Sequence, residues 1–544
     1  MKSEHPYAIT LDPGTSLANL TGSWRTSRPV YLDRMPPCNN ACPAGENIQS
    51  WLYHAEEGNY HEAWQKLMED NPLPAVMGRV CYHPCEDVCN RARLDTTVGI
   101  NSVERFLGDQ ALKLGWEPGR GADDSGKRAL VVGAGPSGLS AAYHLRQMGH
   151  AVTVREAGPM AGGMMRFGIP KYRLPRDVLD AEIQRIVGLG VAIELSTKVD
   201  DIEAAFGEGF NAIFIAVGAH LAKRVNIPAH AAGKILDAVS MLRDMETGDE
   251  PPQLGRRVIV YGGGNTAMDV ARTAKRLGVD EAMIVYRRSR NEMPAHDFEA
   301  TEAEEEGVMI HWLRTIKQID DTTFTVEKMR IDDNGRPQPT GEFETLQADT
   351  LILALGQDVD TSFLERAPGV EIAKDGVVEV SDQMMTGRDG LFAGGDMVPS
   401  ERTVTVAVGH GKKAARNIDT WLRGETYSPR PKHELASFES LNTWYYDDAP
   451  KTVRPQLDLI RRQTSFDEVF KGLDAENALY EARRCLSCGN CFECDNCYGI
   501  CPDNAVVKLG PGKRFEFNYD YCKGCGMCAL ECPCGAIKME AEDI

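Results

Sequence analysis

The chain lacks any long hydrophobic run. Nowhere in its 544 residues is there an uninterrupted apolar stretch approaching the 18 or so residues of a membrane-spanning helix. Its first residues, MKSEHPYAIT, hold no apolar core of the kind a secretory leader carries, which places the protein in the cytoplasm. Positive charge is in deficit: 60 Lys and Arg against 80 Asp and Glu leave a net charge of -20, so nucleic acid and anionic lipid surfaces are disfavoured as partners. Histidine is sparse and scattered, 12 in all, and a lone one such as His296 reads as structural or solvated. With no Ser-His-Asp set and no paired catalytic carboxylates in view, no catalytic side chain is assigned, and any chemistry has to come from bound groups.

Cysteine is present in quantity and in clusters. In a reducing compartment, sixteen cysteines grouped at close spacings read as metal or cluster ligands rather than disulfides. The length suggests three or four domains. Residues 1 to about 125 carry five cysteines among helix-like stretches such as NIQSWLYHAEEGNYHEAWQKLMED, with few strand signals. From Lys127 short apolar strands alternate with helices (RALVVGAG, AVTVREA, AIFIAVG, RRVIVYGGG, AMIVYRR, TLILALG, LFAGGD), an α/β pattern with parallel sheets. Between about 425 and 478 the chain turns rich in Pro, Tyr and charge, as an extended connector does, and a cysteine-rich module follows.

Two stretches carry dinucleotide fingerprints. In RALVVGAGPSGLSAAYHLRQMGHAVTVREA, Gly133, Gly135 and Gly138 join a strand to a helix, and Glu156 ends the next strand 18 residues on. The glycines let the backbone approach a pyrophosphate, the helix N-terminus offers N–H donors, and Glu156 can accept from a ribose hydroxyl. The second unit, RRVIVYGGGNTAMDVARTAKRLGVDEAMIVYRRSR, has Gly262, Gly264 and Ala267, but where the first has Glu156 it offers Arg287, Arg288 and Arg290. Arginines there favour a 2′-phosphate and hence NADP(H), unless they form a solvated turn or pair with Glu302 to Glu306; the site is written as NAD(P)H. Two such folds suggest a flavin and a nicotinamide brought face to face.

Cys491, Cys494, Cys497, Cys501 and Pro502 fit the ferredoxin run C-x2-C-x2-C-x3-C-P, and Cys522, Cys525, Cys528, Cys532 and Pro533 repeat it. Because two-cluster proteins exchange the fourth cysteine, the groups are Cys491, Cys494, Cys497 with Cys532, and Cys522, Cys525, Cys528 with Cys501. Zinc is the rival occupant, though it is usually held by two C-x2-C knuckles. Cys534 reads as a buried or free thiol. Cys485 and Cys488, in ARRCLSC, stand outside both runs.

Taken together the motifs resemble the small (beta) subunit of NADPH-dependent glutamate synthase and its relatives, including the flavin half of dihydropyrimidine dehydrogenase. The likeness spans about residues 30 to 425 and rests on Cys38, Cys42 and Pro43, GRVC at Gly78 to Cys81, VGAGPSGLSAA, the stretch Gly162 to Pro175, YGGGNTAMD, YRRSRNEMPA and LFAGGD. It implies an α/β protein with two Rossmann-like domains, FAD (126–255 and 356–425) and NAD(P) (256–355), between a helical iron–sulfur domain (1–125) and, after the connector (426–478), an α+β ferredoxin-like domain (479–544). It implies FAD on Gly133, Gly135, Gly138, Glu156, Gly163 and Arg173, with Asp396 facing the ribityl chain, and NAD(P)H on Gly262 through Asn265 and Thr266 to Ala267. Relatives begin their N-terminal cluster ligands with an R-C-L-x-C pair, which is missing before Cys38. The resemblance thus suggests that Cys485 and Cys488 return to complete one 4Fe-4S cluster with Cys38 and Cys89; a local thiol pair or an unrelated metal clip is the alternative. By the same resemblance the second N-terminal cluster is expected to take Cys42, Cys81 and Cys85, with Glu104 at the position of a side-chain oxygen donor as a non-thiolate fourth ligand.

The function this implies is electron transfer between NAD(P)H, FAD and four 4Fe-4S clusters. The chain is expected to serve as a subunit of a larger oxidoreductase, with a 2-oxoacid oxidoreductase as the leading partner. The alternatives are a free-standing NAD(P)H:ferredoxin-type oxidoreductase and a non-catalytic iron–sulfur scaffold.

Overall fold

The computed structural model describes residues 19–223, 227–231, 234–248, 251–425, 427–428 and 431–542. The opening segment MKSEHPYAIT, on which the absence of an apolar leader core is read, lies outside them. Among the described residues no helix is long and apolar enough to cross a membrane.

The N-terminal unit is built of short helices: Pro37–Ala41, Ile48–Glu56, Tyr60–Met68, Pro74–Val80, Pro84–Asp87 and Ile100–Leu114. Pro37, Pro74 and Pro84 each open a helix at its first turn, where proline loses no hydrogen bond. Their apolar faces meet in a core of Trp51, Leu52, Trp64, Leu67, Phe106 and Leu107, all essentially buried.

Two parallel five-stranded sheets follow. The first has the order Leu391–Ala393, Ala212–Ile215, Arg128–Val132, Ala151–Arg155, Ala192–Glu194. The second has the order Val308–Trp312, Glu281–Tyr286, Arg257–Tyr261, Thr350–Leu353, Lys234–Asp237. The helices Pro136–Gln147 and Val404–Leu422 pack together against the first sheet, and Asn265–Arg276 packs on the second. Lys234–Asp237 joins the second sheet although the sequence boundary at 255 assigned it to the flavin domain. Its strand content is weak, and its partner Thr350–Leu353 is remote in sequence. Arg314–Asp320, Thr323–Ile331 and Pro337–Gln347 form an antiparallel meander rather than parallel strands, turned by Asp321 at φ 54° and Gly335 at φ 72°.

In the C-terminal module Val506–Lys508 pairs with Phe515–Phe517, and the helices Asn496–Ile500 and Met527–Leu530 carry cysteine runs. Its last strand, Ile537–Ala541, pairs antiparallel with Ser27–Tyr31 near the other end of the chain, and Tyr31 stacks on Phe517 at 4.8 Å. The connector runs over the body between these parts. Glu468 pairs with Arg79 at 2.7 Å, and Arg462, on the helix Leu459–Thr464, reaches Glu305 at 3.0 Å and Glu306 at 3.2 Å. Glu306 is fully buried and also receives Arg272 at 2.8 Å and Arg276 at 2.6 Å. Burial alone raises its carboxyl, but the bonds from Arg272 and Arg276 outweigh that and hold it at about 2.

Candidate functional site: two nucleotide clefts and four cysteine groups

Gly133, Gly135 and Gly138 lie where the strand Arg128–Val132 turns into the helix Pro136–Gln147. Gly135 caps that helix and faces Gly163, which sits at φ +51°; a Cβ on Gly135 would meet nothing closer than Gly163 Cα at 3.9 Å. This open cradle at a helix N-terminus is what a pyrophosphate requires. Glu156 is fixed by N–H groups of Ala134 at 2.8 Å and Gly158 at 2.7 Å, and a carboxylate so held still has lone pairs for a ribose hydroxyl. Ser137 Oγ is buried without a partner beside Gly395, and Asp396 is pushed up to about 6 by burial, only partly relieved by Arg402. A buried, unpartnered hydroxyl beside the Gly395–Asp396 turn fits a polyhydroxylated ligand such as FAD.

Arg173, which the resemblance gives to FAD, is engaged elsewhere in the chain itself. Its guanidinium is held by Asp269 at 2.9 Å and Glu299 at 2.7 Å, both on the nicotinamide side, so it ties the two nucleotide folds together. A sequence motif shows the arginine but not which carboxylates the tertiary fold delivers to it.

In the second cleft Gly262, at φ +151°, lets its strand pass Ala354, and a Cβ on Gly264 would meet nothing within 4 Å. Asn265, Thr266 and Ala267 then open the helix Asn265–Arg276, whose first turn leaves N–H groups unpaired within the helix, while the Ala267 N–H donates to the Gly264 carbonyl at 2.8 Å. The three arginines divide. Arg290 pairs with Asp297 and with Glu304 at 2.8 Å, the second of the two readings open in the sequence. Arg287 is exposed, and Arg288 Nε is buried with no partner, which leaves these two for a phosphate.

None of the sixteen cysteines is in a disulfide, and fifteen of them gather into four groups. Cys38, Cys89, Cys485 and Cys488 line one small cavity walled by Pro36, Leu52, Val98 and Ile100. Burial pushes the Cys38 and Cys485 thiols well up, reinforced at Cys38 by Cys485 and Cys89 and at Cys485 by Glu56 and then Cys488, and Asn90 Nδ2 lies 3.5 Å from Cys488 Sγ. Cys42, Cys81 and Cys85 form the second group, with Glu104 beside them; burial and then Glu104 push Cys81 up to about 12. Cys81 Sγ accepts from His83 N at 3.2 Å and Thr405 Oγ1 at 3.1 Å. In the C-terminal module Cys532 joins Cys491, Cys494 and Cys497, while Cys501 lines a cavity with Cys522, Cys525 and Cys528. Tyr31 Oη lies 3.3 Å from Cys497 Sγ, and Cys534 is buried 3.7 Å from Cys532 Sγ. Among the described residues no three Cys, His, Asp or Glu side chains close on a single point as a lone ion demands, and two of the four thiol groups, those of Cys485 and of Cys501, surround a small cavity.

Two residues near the second group went unnoticed in the sequence. Glu46 is buried and pushed up to about 7 by burial and Asp70, and Asn71 Nδ2 donates to Glu46 at 3.0 Å and to Glu104 at 2.8 Å. Asn71 lies 33 residues from Glu104 and carries no local signal.

Residues 127–411 match the family "Pyridine nucleotide-disulphide oxidoreductase", residues 27–116 match domain II of dihydropyrimidine dehydrogenase with its 4Fe-4S cluster, and residues 515–538 match a 4Fe-4S binding domain. The chain is 38% identical to the NADP(+)-dependent formate dehydrogenase subunit beta of Moorella thermoacetica, over 83% of this chain and 70% of that one. It is 34% identical to the NADPH-Fe(3+) oxidoreductase subunit beta of Geobacter sulfurreducens, over 84% and 76% respectively. With the glutamate synthase [NADPH] small chain of Azospirillum brasilense it shares 33% identity, over 73% of this chain and 88% of that one. FAD and NAD(P)H are the ligands of the paired nucleotide folds, and 4Fe-4S clusters those of the flanking domains. The chain belongs to the pyridine nucleotide-disulphide oxidoreductase family, among the NADP-dependent FAD and iron–sulfur oxidoreductase subunits related to the small chain of glutamate synthase.

Proposed function

We propose that this chain is the NADPH-reactive subunit of a larger oxidoreductase, exchanging electrons with its partner through the C-terminal module. The observation that carries the reading is the meeting of Cys485 and Cys488, from the C-terminal part of the chain, with Cys38 and Cys89 around one cavity. That meeting makes a continuous row of thiol-lined sites from Cys81, hydrogen-bonded to Thr405 on a flavin-domain helix, to the exposed Cys494 and Cys525. Bound in the first cleft, a flavin trades electrons in pairs with nicotinamide and singly with iron–sulfur clusters. The chain's own residues supply the rest. Glu156 fixes the adenosine end of the flavin, while Gly135 and Gly163 admit its pyrophosphate. Arg287 and Arg288 select the phosphorylated nicotinamide nucleotide, and the cysteine groups hold four clusters. Glu104 completes the Cys42 group.

The relatives named above work on formate, ferric iron and glutamate synthesis, and the 2-oxoacid partner expected from the sequence has no support among them. We therefore take a dehydrogenase subunit acting on a small organic acid as the partner class. The anaerobically purified chain should reduce methyl viologen with NADPH faster than with NADH while oxidising no organic substrate alone. A flavin that NADPH leaves oxidised would favour the scaffold reading and refute this one. Full turnover with a free ferredoxin and no associated subunit would favour the free-standing enzyme.

A further inference from the structure

Tyr82 follows Cys81 directly, yet its side chain leaves the N-terminal unit for the nicotinamide fold. Its Oη accepts from Asn265 Nδ2 at 2.7 Å and donates to Glu299 Oε1 at 3.2 Å, and its ring stacks on His296 with centroids 3.8 Å apart and planes 22° from parallel. Asn265 is the first residue of the fingerprint helix, next to the open cradle of Gly264, and its Oδ1 is held at 3.3 Å by His296 N. Both ends of the Asn265 amide are therefore tied to the Tyr82 and His296 stack. The loop on the other side is equally constrained. His83 sits at φ +42°, a left-handed conformation costly for a side chain of its size, and its N–H is directed at Cys81 Sγ. Tyr82 and His83 also wall a cavity of about 330 Å³ with Arg173, Glu299, Arg454 and Phe470, which leaves the ring room to shift.

We propose that Tyr82 is a positioning residue that couples occupancy of the nicotinamide nucleotide cleft to the Cys42, Cys81 and Cys85 site, an inference that rests on the functional reading above. A pyrophosphate entering beside Gly264 competes for, or reorients, the Asn265 amide. Tyr82 Oη answers to that amide, and Cys81 is one peptide away. No comparable chain of contacts is needed from the flavin side, where Thr405 touches Cys81 directly. Coupling of this kind is reciprocal: the state of the cluster must alter nucleotide affinity by the same factor that the nucleotide alters the cluster.

The test uses the holoprotein held reduced with excess dithionite and 2′-phospho-ADP-ribose as probe, which carries the pyrophosphate and 2′-phosphate but no redox-active ring. In the wild type the probe should shift the electron paramagnetic resonance signal of one N-terminal cluster, and its Kd should differ about fivefold or more between oxidised and reduced protein. Tyr82→Phe keeps the stack and loses both hydrogen bonds; it should still bind the probe, with the signal shift gone and the two Kd values merged. Thr405→Val removes the other bond to Cys81 Sγ and should retain the probe-induced shift. A wild type whose signal ignores the probe, or a Tyr82→Phe protein that responds as the wild type does, overturns the proposal. Absence of any flavin or cluster signal in the wild type would instead fail the functional reading beneath it.

Discussion

Replacing Cys485 is the most direct perturbation of the arrangement. The thiol lies in an apolar cavity with Cys38, Cys89 and Cys488, so a serine there would bury a hydroxyl with few partners at about 1–3 kcal/mol. Alanine avoids that cost and removes only the ligand, which makes Cys485→Ala the cleaner variant. Four 4Fe-4S clusters correspond to about sixteen irons per chain, and loss of one leaves about twelve, with one quarter of the spins missing from the fully reduced protein. The assay is iron and flavin content of the anaerobically purified chain together with spin quantification. Flavin should stay stoichiometric, because the cavity touches neither nucleotide cleft. The signals of the two ferredoxin-type clusters should also persist, whereas NADPH-driven reduction of those clusters slows by orders of magnitude because the row of sites is broken. Cys534→Ala, next to Cys532 but outside every group, should keep all sixteen irons. Unchanged iron in Cys485→Ala, or loss confined to the ferredoxin-type signals, would show that Cys485 and Cys488 belong to a local site and would refute the convergence as a cluster site.

Arg288→Gln should raise the KM for NADPH about tenfold or more while leaving that for NADH unchanged, as expected for one charge-assisted bond to a 2′-phosphate, checked by steady-state kinetics with viologen. Glu306→Gln strips the shared carboxylate from Arg272, Arg276 and Arg462 and should cost about 3–5 kcal/mol, read by calorimetry. Because Glu306 is held at about 2, below its unfolded value, its contribution is complete above about pH 5 and fades as pH falls toward 2, so the gap between wild type and variant should close in acid. Asp396 shows the opposite sign. Raised to about 6, its burial disfavours the folded apoprotein as pH climbs from about 4 to about 6, so flavin-free Asp396→Asn should outlast the wild type by up to about 3 kcal/mol above pH 6, but not at pH 4, and should bind FAD more weakly.

Features set by local spacing were readable from the residues. The glycine turns at 133–138 and 262–267 and the two ferredoxin runs depend on neighbours a few positions apart, and the structure has a strand-to-helix turn at each glycine set and a cavity lined by Cys501, Cys522, Cys525 and Cys528. What escaped was decided by partners distant in sequence. Arg173 finds Asp269 and Glu299 about a hundred residues away or more, and Asn71 joins Glu46 to Glu104 across two helices. The strand Ser27–Tyr31 has a proline at its centre and no local turn signal, and it becomes a strand because Ile537–Ala541 offers an edge. Arg290 shows the limit of charge counting: three adjacent arginines look alike until the helix Asp297–Glu305 neutralises one of them.

The pairing of Ser27–Tyr31 with Ile537–Ala541 also sets a timetable for biosynthesis. A ribosome adding about 5–20 residues per second needs tens of seconds between releasing the first of these strands and the second. Throughout that interval Tyr31, Cys38 and Cys89 have no counterpart to close against. Closure of the Cys38 and Cys89 group must therefore wait for Cys485 and Cys488, and the edge of Ser27–Tyr31 for Ile537–Ala541, so both are completed only after the nucleotide folds between them have been made.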